Sequence, residues 1–183
     1  VQTVYVDTDV DEWDREREIQ TIMAISDHPL SGIAGVVAGA KLEREDPFVH
    51  FGSLAGHPKL KGVRRVLHTQ PDDLCRQPQF VENVRALSSR QWSFDLCVLA
   101  RQLPLARELV GKCPDVSFIL DHCGCPDVKA GTLPMRTEFA YNRVALKVLH
   151  FGSDRRHVRR VVLISVPPLG SFEVEWHLDW RSQ

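Results

Sequence analysis

The sequence predicts an α/β fold built on a parallel sheet that curls into a barrel or part of one. Three observations carry this. Short β-branched runs alternate strictly with longer amphipathic runs, five strands with four helices between them. Such alternation gives parallel strands joined by right-handed crossovers. The strand runs lack a regular polar/apolar alternation, as expected where both sheet faces are covered. No strand is followed by a Gly-rich phosphate loop, so a dinucleotide-binding sheet has little support.

The elements follow in order. Thr3–Val6 reads as a strand. Glu12–Ile25 reads as a helix, with Trp13, Ile19, Ile22 and Met23 at helical spacing and His28-Pro29 as its stop. Gly32–Ala40 is a buried strand of small residues, Leu42–Leu54 a second helix, and Leu60–Leu67 a third strand. Pro78 opens a helix that runs to Leu87, since proline fits the first helical turn. Ser93–Leu99 is a strand, Leu103–Val110 a helix, and Val116–Leu120 a strand running straight into Asp121-His122. Beyond residue 128 the pattern weakens. Leu133–Ala140 is a candidate helix, Arg143–Leu149 a sixth strand, and Val161–Val166 a further strand ended by Pro167-Pro168. The tail Ser171–Arg181 alternates strictly, which marks a half-exposed amphipathic strand. Two regions result: residues 1–154 with barrel character, and 155–183 with the basic run RRHVRR and that last strand.

Composition narrows the function classes. The 183 residues carry 23 Lys+Arg against 24 Asp+Glu, a net charge of −1. That argues against a nucleic-acid partner, which usually demands a basic excess. No run reaches the roughly 18 apolar residues of a membrane span. The start is acidic and lacks the basic region of a signal peptide. Five cysteines, an odd number without a framework spacing, suit free thiols in a reducing, cytoplasmic compartment. The length is short for a closed eight-strand α/β barrel of about 250 residues.

Four residues stand out for chemistry. Asp121-His122 ends an apolar strand, which puts polar side chains on the C-terminal rim where parallel sheets build active sites. His122 there suits a general base, a ligand or an electrophile; capping the strand end explains it equally well. Arg64 and Arg65 sit next to each other on a strand, so one must face inward. An inward guanidinium suits a carboxylate substrate, or an internal ion pair. Asp95 lies in an apolar strand, where a carboxylate needs a partner; structural support is favoured over catalysis. Asp154 follows a Gly-Ser turn and is a candidate for activating water, though turn formation accounts for it too. Cys123-x-Cys125 lacks the spacing of a zinc knuckle, so no metal ligand is assigned.

Several blocks in order resemble the amidohydrolase-related family: VYVDTD, HPLSGIAGVVAGAKLE, KGVRRVLHTQPDD, SFDLCVL…QLPLA and FILDHCGCPDV. They cover about residues 1–128 and are similar to the branch of lactonases acting on L-fuconolactone and 2-pyrone-4,6-dicarboxylate. The resemblance implies an incomplete TIM (β/α)8-type barrel of about six parallel strands. It implies hydrolysis of a lactone or related cyclic ester carrying a carboxylate. His122 would polarise the carbonyl, Asp154 would activate water and Arg64 would hold an anionic substituent, with Asp95 also placed at the substrate. No cofactor is required on this reading; a divalent metal such as zinc is the alternative.

The chain departs from the family pattern. It starts at what resembles the second strand, so a first-strand His-x-His pair is missing. The FGSD run is followed by Arg155-Arg156 instead of Trp-Pro, about 30 residues after Asp121-His122. Either a segment is lost or FGSD is a coincidence, the latter being favoured. Activity is therefore expected to be impaired. The alternative is a non-catalytic fragment or pseudoenzyme of the same fold. Open barrel edges would favour self-association.

Overall fold

The computed structural model describes residues 2–125, together with the backbone of residues 144–148 and 162–164. Among these residues, six strands run parallel and in sequence order: β1 (Thr3–Val6), β2 (Ile33–Gly39), β3 (Leu60–Val66), β4 (Ser93–Cys97), β5 (Ser117–Asp121) and β6 (Val144–Val148). A seventh, β7 (Val162–Ile164), joins β6 antiparallel. The sheet curls into part of a barrel with β1 and β7 at its edges. The expected partial barrel is therefore present.

Among the described residues, three α-helices accompany the strands: α1 (Arg15–Asp27), α2 (Pro78–Ala86) and α3 (Leu103–Lys112). The core lies between helices and sheet. Ile19 and Met23 of α1 meet Val36 and Ala38 of β2, and Phe80 of α2 stands edge-on to Phe94 of β4, which stands edge-on to Phe118 of β5. Such ring pairs add to area burial by about 0.5–1.5 kcal/mol each. Alternation then sends the intervening positions to the concave side. Gly39, Arg64 and Asp95 are register partners across β2, β3 and β4. They are not the core residues, and they face the inside of the curl.

Two sequence expectations are corrected. Leu42–Leu54 is not a helix. Residues 42–48 form turns, and Val49–Gly56 is a 3-10 segment broken at Gly52 (φ 50°, ψ −129°). Pro47 and a glycine conformation closed to other residues divide a stretch whose spacing looked helical. Trp13 is not on the buried face of α1. It lies in a 3-10 turn (Glu12–Asp14) ahead of the helix and is 78% exposed. The expected helix at 133–140 and the strand at 171–181 lie outside the described residues.

Candidate active site

The C-terminal ends of β1, β3 and β5 converge on one ion cluster. Asp7 continues β1 by one residue, its amide donating to the Val37 carbonyl at 2.9 Å. Arg64 lies two residues before the end of β3, and Asp121 is the last residue of β5. Arg64 Nε donates to Asp7 Oδ1 at 2.6 Å, Nη2 donates to the Asp7 carbonyl, and Nη1 reaches Asp121 Oδ2 at 3.4 Å. All three are buried: Asp121 is 0% exposed, Asp7 3% and Arg64 8%. Arg65, with opposite facing, leaves the cluster and pairs with Glu43 at 2.7 Å. The structure thus selects Arg64 as the inward guanidinium.

Arg64 faces both carboxylates, and the directions of the pKa shifts follow from that. Burial lowers the Arg64 pKa, but the charges of Asp7 and Asp121 outweigh this and hold it above its ordinary value. Burial pushes the Asp7 carboxyl up, and Arg64 pulls it back without cancelling the shift. The Asp7 carboxylate is also fixed from its own turn, where Asp9 N donates to Oδ2 at 3.1 Å. Arg15, nearly buried, donates to Asp9 Oδ1 at 3.1 Å. Gly39 makes room for this arrangement: a Cβ there would collide with Arg15 Nη1 and the Asp7 carboxylate.

The other expected residues fall as follows. His122 is half-buried at the same rim, directly after Asp121, and opens a 3-10 turn (His122–Gly124) with a positive φ of 49°. Asp95 is fully buried beside Arg64 in register. Asp154 lies outside the described residues. Sequence reasoning missed Asp7. Its signal was the same one that marked Asp121, an acid placed immediately after an apolar strand run. A groove of about 420 Å³ lies between α1 and residues 49–56, lined by Met23, His50 and Leu54 among others. Arg64, Asp95 and His122 do not line it, and His50 of its lining bonds the Gly39 carbonyl at 2.9 Å.

The donor set does not fit a metal among the described residues. No three His, Cys, Asp or Glu side chains are grouped to hold an ion there. The two rim carboxylates already face the Arg64 guanidinium, which takes the place between them. No helix among the described residues is long and apolar enough to cross a membrane. Cys75, Cys97, Cys113 and Cys125 are free thiols.

Comparison with known proteins adds the following. The amidohydrolase family model matches residues 2–159. An L-fucono-1,5-lactonase of Burkholderia ambifaria is 28% identical over 102 residues, covering 55% of this chain and 35% of that protein. An amidohydrolase of Burkholderia multivorans, crystallised with bound zinc, superposes with a TM-score of 0.64 at 20% identity, over 79% of this chain and 52% of its own. A probable 2-pyrone-4,6-dicarboxylic acid hydrolase of Acinetobacter baumannii, with citric acid bound, superposes at 0.52 and 16% identity, over 67% and 43%. The chain spans between about a third and a half of the length of these relatives.

Proposed function

The chain belongs to the amidohydrolase family, and from that premise we propose that it contributes the rim of a site hydrolysing a lactone or related cyclic ester. One observation supports this reading above the rest. A buried guanidinium is held between two strand-end carboxylates beside His122, at the end of the sheet where such folds do chemistry. Arg64 spends Nε and Nη2 on Asp7, while the longer Nη1 contact with Asp121 is the one a substrate carboxylate would replace. Asp95, in register beside Arg64, supports that guanidinium. His122 polarises the scissile carbonyl, and Asp154 is the proposed water-activating carboxylate.

On this reading no metal takes part, consistent with a rim whose carboxylates face an arginine. Zinc remains the family alternative, and it would need donors beyond the described ones. The partner is a small-molecule lactone or carboxylate, and the free thiols suit a reducing, cytoplasmic setting. A pH-stat assay of the purified chain with L-fucono-1,5-lactone and with 2-pyrone-4,6-dicarboxylate tests the reading. Acid release from either above the uncatalysed rate is the expected result. Uncatalysed rates with both would overturn it in favour of a non-catalytic chain.

A further inference from the structure

β3 ends at Val66, but the chain stays docked on β4 for two more residues. The amides of Leu67 and His68 both donate to the Cys97 carbonyl, at 3.0 and 3.2 Å. Cys97 also meets the side chain: its Sγ lies 3.4 Å from His68 Nδ1. The Leu67 carbonyl accepts from Gln102 Nε2 at 3.3 Å, and Gln102 Nε2 also donates to Asp72 Oδ1 at 2.7 Å. The half-buried His68 ring is thus anchored through backbone and side chain at the same rim as the ion cluster. Cys97 and Asp121 each follow the register pair Leu96–Leu120 by one residue, which makes them neighbours.

The thiol of this contact keeps its proton. Burial, with Asp121 next in strength, pushes the Cys97 thiol up to about 12. Cys97 is therefore an S–H donor at neutral pH and not a nucleophile. With the S–H turned to Nδ1 across this 3.4 Å contact, that nitrogen accepts and the ring hydrogen sits on Nε2.

We propose that His68 is a substrate-contacting residue whose neutral ring Cys97 holds as the Nε2–H tautomer, donating to an oxygen of the lactone. The role rests on the lactonase reading above. It gives the site a pre-oriented ring N–H donor at the rim that carries Arg64 and His122. Neither backbone anchor needs the imidazole, so His68→Ala keeps the docked chain.

Two readouts on the full chain test this. In the nitrogen-15 imidazole spectrum at neutral pH, His68 of the wild type shows the Nε2–H tautomer alone. Cys97→Ser, which retains a donor, keeps it, and Cys97→Ala gives a tautomer mixture. In turnover of L-fucono-1,5-lactone, His68→Ala raises KM about tenfold, the worth of one neutral hydrogen bond, and leaves kcat near wild type. An Nδ1–H or mixed tautomer in the wild type overturns the lock. An unchanged KM in a chain that hydrolyses the lactone overturns the substrate contact while leaving the lactonase reading intact. A chain with no turnover but a single Nε2–H tautomer defeats the lactonase reading and retains the lock, so the two failures are distinguishable.

Discussion

Arg64 carries one positive charge between two buried carboxylates, and removing that charge should cost far more than the hydrogen bonds it makes. Arg64→Met leaves Asp7 buried without this cation, a situation worth about 3–5 kcal/mol of destabilisation. Urea unfolding of the variant against wild type measures it. Asp7 gives a prediction of opposite sign in pH. Its folded pKa is raised above the ordinary carboxylate value by burial, so the folded state binds the proton more tightly than the unfolded chain. The stability it contributes is full below the unfolded pKa and is lost as pH rises through the folded one. The unfolding free energy of wild type relative to Asp7→Asn should therefore fall between acid and neutral pH. A difference that is flat, or that rises with pH, contradicts the raised carboxyl. At this scale the sequence was partly legible. His122 and Asp121 were visible because a polar pair ended an apolar strand. Asp7 carried the same mark and was passed over, because its partner is 57 residues away and no local pattern links them.

The strands were readable as elements, because β-branched runs bounded by turn residues behave alike in any parallel sheet. Each strand from β1 to β5 lies within two residues of its expected bounds. The segment after β2 was not readable. Leu42, Phe48, Phe51 and Leu54 have spacings compatible with a helix, yet Pro47 and Gly52 interrupt it. Local propensity overrode periodicity there. Facing was legible only as a choice: alternation demands that Arg64 and Arg65 diverge, and the structure decides which goes inward by placing Glu43 outside and Asp7 inside. Gly39 marks where β2 makes space for that cluster. Gly39→Ala should destabilise by about 1–3 kcal/mol, as overpacking does. Gly35→Ala is the control: its Cβ would meet the flexible Lys61 side chain at 3.0 Å. Thermal unfolding of both separates the two cases, and equal losses would contradict the crowding at Gly39.

Among the described residues the curled sheet leaves β1 paired on one side only, with β2, and Val4 on it is half-exposed. Unpaired edge amides and carbonyls invite pairing with another chain. Size-exclusion chromatography with light scattering at rising concentration should show self-association. A monomer throughout would contradict this expectation. The catalytic account depends on the convergence of three strand ends at one rim, and on His122 acting there. Its most direct test is the rate of lactone hydrolysis by His122→Ala relative to wild type, followed by pH-stat with L-fucono-1,5-lactone. The account predicts a fall in kcat/KM of about 10²-fold or more with folding intact by circular dichroism. A variant as active as the wild type would contradict it.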